Sequence, residues 1–121
     1  MMALEKAQCF LARKYEVHVV NNLPPEPGPL LVHCASKDDD LGNHTLTTNQ
    51  DFHFDFCVVP FTTLFFCHLW WGNKDISFDV FNTKTIMQQC TDRQCYWAAK
   101  TDGIYFAGSY PPKELHKAYS W

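Results

Sequence analysis

The chain has 121 residues, a net charge of −3 and a pI near 6.0. That is the length of one domain, and it lacks the clustered basic surface that nucleic-acid binding requires. Aromatic residues make up 16% of it and six cysteines are present; the rings suit a β-protein whose facing sheets need filling, and the cysteines point to oxidising surroundings.

In chain order, the opening MMALEKAQCFLARKYE has charges throughout and no apolar core, so it is not read as a signal peptide. Leu4, Ala7 and Leu11 fall on one helical stripe, which predicts a short helix or a loose tail over residues 1–14. Residues 15–20, YEVHVV, alternate as a strand does. The four prolines of NNLPPEPGP then impose a loop. Residues 30–36, LLVHCAS, predict the second strand. The polar run KDDDLGNHTLTTNQ reads as a long turn with at most one short strand near residues 45–48.

DFHFDF, residues 51–56, is the clearest period-two segment: Phe52, Phe54 and Phe56 face one way, His53 and Asp55 the other. TLFFCHLWW (63–71), DISFDVF (75–81), CYWAA (95–99) and GIYFAG (103–108) follow as strands separated by GNKD and KTDG turns. Residues 109–121 read as a tail with a proline turn and a closing helical turn. Seven or eight short strands at this spacing predict an all-β fold, an antiparallel sandwich stapled by disulfides and carrying long connecting loops. Residues 15–108 would form the domain, between tails at 1–14 and 109–121. The longest apolar stretch, residues 57–71, contains Pro60 and is too short to span a membrane.

The two-residue period places Cys34 with Leu30 and Val32, and Cys67 with Phe65, Leu69 and Trp71; His33 and His68 point to the opposite faces. A zinc site built from His33, Cys34, Cys67 and His68 would need ligands from both faces of a sheet at one point, so no metal is expected there. A nucleophilic cysteine needs a base and electropositive surroundings, and the neighbours here are Asp38, Asp39 and Asp40. A Cys34–Cys67 disulfide is the better reading, contributing about 3–4 kcal/mol in the chain-entropy model, with Cys90–Cys95 a local bridge contributing about 2 kcal/mol. Six cysteines still allow fifteen pairings. Cys9 and Cys57 either pair with each other or stay thiols.

LLVHCASKDDDLGNHTL, FHFDF, TLFFCHLWW, FDVF and CTDRQCYWAAKTDGIYF, in that order, resemble the plant self-incompatibility S-protein homologue family over residues 15–107. The resemblance implies a small, secreted, disulfide-bonded β-sandwich. Relatives with an assigned role are stigma determinants that act as extracellular ligands for a pollen membrane receptor. It also implies that Cys34, Cys67, Cys90 and Cys95 are the framework cysteines. Cys9 and Cys57 are extra, leaving a third bridge or a dimer open.

The resulting expectation is a secreted, non-enzymatic signalling ligand for a plasma-membrane receptor. It needs no cofactor and no metal, binds no nucleic acid, inserts in no membrane and is a monomer unless Cys9 or Cys57 links two copies. Contact is assigned to the loops, through Asp38, Asp39, Asp40, Lys74, Asp75, Lys84, Lys100 and Asp102, whose mixed charge suits partner selection. The bland reading of SKDDDLG is a solvated turn with Gly42 at positive φ; it lacks the spaced ligands of a calcium loop. Asn43-His44-Thr45 is a glycosylation sequon on a predicted surface loop. His18, His33, His44 and His53 show no paired acid at useful spacing. His68 lacks the sequence context of a secreted ribonuclease's catalytic histidine. The competing readings are an extracellular hydrolase or nuclease, which would need a polar cluster in a pocket, and a membrane-active defence or toxin-like protein, disfavoured by the absence of a basic amphipathic helix.

Overall fold

The computed structural model describes residues 2–3, 9 and 13–121. The helical stripe of Leu4, Ala7 and Leu11 lies outside the described residues. The described residues form ten strands in order: β1 Met2–Ala3, β2 Lys14–Asn21, β3 Leu30–Ser36, β4 Asp40–Leu46, β5 Asp51–Cys57, β6 Leu64–Trp71, β7 Lys74–Asn82, β8 Gln94–Lys100, β9 Gly103–Ala107 and β10 His116–Tyr119. Two short 3-10 turns, Met87–Gln89 and Thr91–Arg93, are the helical elements among the described residues. The strands form a six-stranded sheet, β1-β5-β2-β8-β9-β10, and a four-stranded sheet, β4-β3-β6-β7.

Alternation explains how the sheets face each other. Phe52, Phe54 and Phe56 of β5 and Val17 and Val19 of β2 are buried, as are Val32, Cys34, Cys67 and Leu69 from the smaller sheet. Rings interlock across the layers: Phe54 and Phe56 lie 5.1 and 4.6 Å from Phe65, and Trp97 lies 5.0 Å from Phe78. The Trp97 indole N–H donates to the Val80 carbonyl at 3.0 Å, so this buried ring also satisfies its one polar atom. Of the tryptophan pair, Trp71 is buried and Trp70 half-buried. A register shift between Phe65 and Phe66 turns two successive β7 residues, Val80 and Phe81, into the core.

Three features depart from the sequence expectation. The polar run after β3 is mostly strand: β4 spans Asp40–Leu46 as an exposed edge, because pairing with β3 satisfies its backbone although its side chains are polar. Asp40 and Asn43 are therefore strand residues, and the sequon does not sit on a loop. Residues 116–119 extend as β10 against β9 rather than closing as a helical turn. The larger sheet is mixed rather than wholly antiparallel, because β2 and β8 run parallel.

All six cysteines are paired, as Cys9–Cys57, Cys34–Cys67 and Cys90–Cys95. Cys34 and Cys67 are register partners on adjacent strands and both are fully buried. Cys9 and Cys57 bond within the chain, so neither is left to link two copies.

Candidate functional site

The eight charged residues singled out in the sequence divide between opposite ends of the sandwich. β3 and β6 are antiparallel with Leu31 beside Trp70 and Ser36 beside Phe65. The β6–β7 hairpin bearing Lys74 and Asp75 is therefore at the far end from the β3–β4 turn bearing Asp38, Asp39 and Asp40. Lys84 follows β7, whose Asn82 pairs with Leu64, which places it at the Asp38 end.

At the other end, the C-terminal residue joins two hairpins. The Trp121 indole N–H donates to the Lys100 carbonyl at 2.7 Å, and its ring lies 6.1 Å from that of Trp71. Lys74 reaches over Trp71 at 5.9 Å and Lys100 over Tyr105 at 4.9 Å. Asp102 accepts the Tyr105 hydroxyl at 2.9 Å and lies 3.6 Å from Lys117. The hydroxyl, reinforced by Lys117, holds the Asp102 carboxyl below the usual carboxylate range. Lys74, Asp75, Lys100 and Asp102 thus share one end of the molecule.

The expectation that His18, His33, His44 and His53 lack a paired acid is corrected by the tertiary structure for His18, His33 and His53, while His44 meets the Leu41 carbonyl at 2.8 Å. On the outer face of the smaller sheet, His33 and His68 are cross-strand neighbours. His33 Nε2 lies 2.7 Å from Asp40 Oδ1, and His68 Nε2 lies 2.7 Å from Asp75 Oδ2. Each acid follows its histidine by seven residues, in HCASKDDD and HLWWGNKD, and both pairs close a hairpin. That repeated spacing is the signal that was available. Asp40 Oδ1 also accepts the Gly42 N–H at 2.9 Å; Gly42 has the expected positive φ, +81°, but within strand β4, beside the register shift against β3, rather than in a turn. These bonds, Gly42 first and His33 second, hold the Asp40 carboxyl low. Asn43 is exposed on the same edge strand.

The outer face of the larger sheet holds a second polar group that the sequence did not reveal. His18 of β2 is directly opposite His53 of β5, and Asp51 lies two residues from His53 on the same face. His18 Nδ1 is 2.9 Å from Asp51 Oδ2; His18 Nε2 is 3.2 Å from Glu16 Oε1 and 3.1 Å from Gln94 Oε1. The Tyr110 ring stacks on His18 at 4.0 Å, which is why a residue on an outer face is only 2% exposed. Burial pulls the His18 pKa down, but the Asp51 hydrogen bond, the charges of Asp51 and Glu16 and the Gln94 bond outweigh it, and the net direction is upward. Burial, then the Asp51 charge, pushes the nearby Tyr96 phenol up.

Comparison with known proteins matches the sequence to one family. Residues 16–121 match the family model described as plant self-incompatibility protein S1. S-protein homolog 29 of Arabidopsis thaliana is 35% identical over 109 residues, covering 89% of this chain and 78% of that protein. S-protein homolog 5 of Arabidopsis thaliana is 41% identical over 76 residues, covering 62% of this chain and 58% of the relative. A solved structure of SPH (Self-Incompatibility Protein Homologue) proteins, a widespread family of small, highly stable, secreted proteins from plants, has the same fold. It superposes with a TM-score of 0.59 over 92% of each chain at 15% identity. With strands β3 to β10 and most of β2 falling within the matched region, the chain belongs to the plant self-incompatibility S-protein homologue family.

Proposed function

We propose that the protein is a small secreted, non-enzymatic ligand that binds a receptor at the plant cell surface through the hairpin end of its sandwich. The observation that carries this reading is the gathering of Lys74, Asp75, Lys100 and Asp102 at one end, braced by Trp121. Contacts with Trp71, His68 and Tyr105 restrain those side chains, which lowers the ordering entropy that opposes an encounter, and mixed charge favours one partner over others. Family membership and likeness to small secreted proteins support an extracellular site of action, and full pairing of the cysteines suits that compartment.

The test is binding of labelled protein to intact plant cells. Replacing Lys74, Asp75, Lys100 and Asp102 by alanine should leave the circular dichroism spectrum unchanged and abolish saturable binding. The matched set at the opposite end, Asp38, Asp39, Asp40 and Lys84, should retain it. Undiminished binding by the first set would sink the assignment, and loss confined to the second would move the contact to that end.

A further inference from the structure

His18, Asp51 and His53 come from two adjacent strands, and three of their ligand-type atoms lie within 4.8 Å of one another. Two of those three residues have an unanswered atom. Asp51 is 8% exposed and its Oδ1 has no hydrogen-bond partner; His53 Nδ1 has none either, and the two face each other at 3.5 Å. A buried carboxylate oxygen without a donor is costly.

The His18 ring adds a tautomer argument. Its Nε2 faces the Glu16 carboxylate and the Gln94 side-chain oxygen, both acceptors, so Nε2 carries hydrogen. Nδ1 faces a second carboxylate, on Asp51, at 2.9 Å. A lone pair there would point at negative oxygen, so Nδ1 holds either a proton or a metal ion. A proton on His18 satisfies Nδ1 and Asp51 Oδ2, whereas one on His53 Nδ1 would meet Asp51 Oδ1 only at 3.5 Å, too long for a sound hydrogen bond. One cation between the three side chains answers all of them.

We propose that His18 Nδ1, the Asp51 carboxylate and His53 Nδ1 form a binding site for a divalent transition-metal ion of the zinc class. Two imidazoles and one carboxylate suit such an ion. Metal–ligand distances of about 2.0–2.2 Å in tetrahedral geometry put ligand atoms about 3.3–3.6 Å apart. His18 Nδ1 lies 2.9 Å from Asp51 Oδ2, His53 Nδ1 lies 3.5 Å from Asp51 Oδ1, and three ligand atoms lie within 4.8 Å of one another, so shifts of a side chain's own reach close the site. Glu16 then acts as the outer carboxylate that orients a metal-bound imidazole through its far N–H. Binding releases the Nδ1 proton to solvent, and three protein ligands leave a fourth position for water. The site lies on the face away from the His33 and His68 pairs and uses none of the hairpin charges assigned to receptor contact.

The experiment is a zinc titration of the full, oxidised chain by calorimetry, with histidine ring resonances followed by NMR. One ion per chain is expected, shifting the rings of His18 and His53 and not those of His33 and His68. His53→Gln, at a half-buried position, should weaken binding more than about 100-fold, and Glu16→Gln, which keeps all three ligands, about 10–100-fold; His68→Gln should leave it unchanged. The proposal is overturned if the wild-type chain takes up no zinc, if the His33 and His68 rings respond instead, or if a folded His53→Gln binds as tightly as wild type. Should His53→Gln fail to fold, the ring shifts of the wild-type protein decide.

Discussion

The replacement of both Cys34 and Cys67 by alanine, with the other two bridges intact, tests how this small sandwich is held together. The bridge spans 33 residues of sequence, and the chain-entropy model gives it about 3.7 kcal/mol. The Cys9–Cys57 bridge overlaps the same loop and shortens the path, trimming that figure by roughly a few tenths of a kcal/mol. Both sulfurs are fully buried, so their removal costs about 1 kcal/mol each in lost packing. The total, about 5 kcal/mol, is a large share of the roughly 5–15 kcal/mol that a domain commands. Cys90 and Cys95 are also buried, 6% and 0% exposed, but only five positions apart. Their double replacement should lose similar packing but only about 2.2 kcal/mol of loop entropy. The two variants should therefore differ by about 1–1.5 kcal/mol. With a guanidinium slope of about 4 kcal/mol/M, the midpoint falls by roughly 1.2 M for the long bridge and 0.3–0.4 M less for the short one. Equal costs, or a greater cost for the short bridge, would refute the loop-length account and place the stabilisation in native contacts of the local turn.

Trp97→Phe should leave the Val80 carbonyl without its 3.0 Å donor. The resulting cost is about 1–3 kcal/mol for the orphaned acceptor, read from the same denaturant midpoint, and a change under about 0.5 kcal/mol would show the carbonyl to be satisfied otherwise. Gly103 has φ +155°, and a Cβ there would meet the Tyr119 carbonyl oxygen. Gly103→Ala should therefore detach β10, seen as faster amide exchange at residues 116–119 with β2 still protected; unaltered exchange would contradict it. Asp40 has its pKa lowered in the folded state, so its contribution to stability is complete above 3.8, the ordinary value, and is lost as pH falls through the lower folded value. Asp40→Asn should flatten acid unfolding slightly below pH 3.8, and an unchanged acid limb would mean that its bonds to Gly42 and His33 are absent in solution.

Strand periodicity, proline punctuation and the residue types that repeat on one face determined the layered β-fold, the inward set led by Phe52, Phe54 and Phe56, and the facing of Cys34 and Cys67. These are local properties: a two-residue period needs only the neighbours on one strand. The His33–Asp40 and His68–Asp75 pairs were within the same reach, since a seven-residue spacing across a tight hairpin can be read once the turn is placed. Edge strand β4 was obscured because an exposed strand carries polar side chains and looks like a turn. β10 was hidden because its pairing with β9 depends on the chain path after the proline turn.

Only the tertiary structure decided the rest. Cys9 with Cys57, His18 with Asp51 and Tyr110 over His18 join residues 48, 33 and 92 positions apart, and no local pattern encodes which distant partner a side chain will meet. The same holds for the division of the charged residues into two ends, which follows from the antiparallel register of β3, β6 and β7. A sequence states which face a residue takes on its own strand; which strands lie side by side, and in what direction, is fixed when both sheets bury their rings against each other.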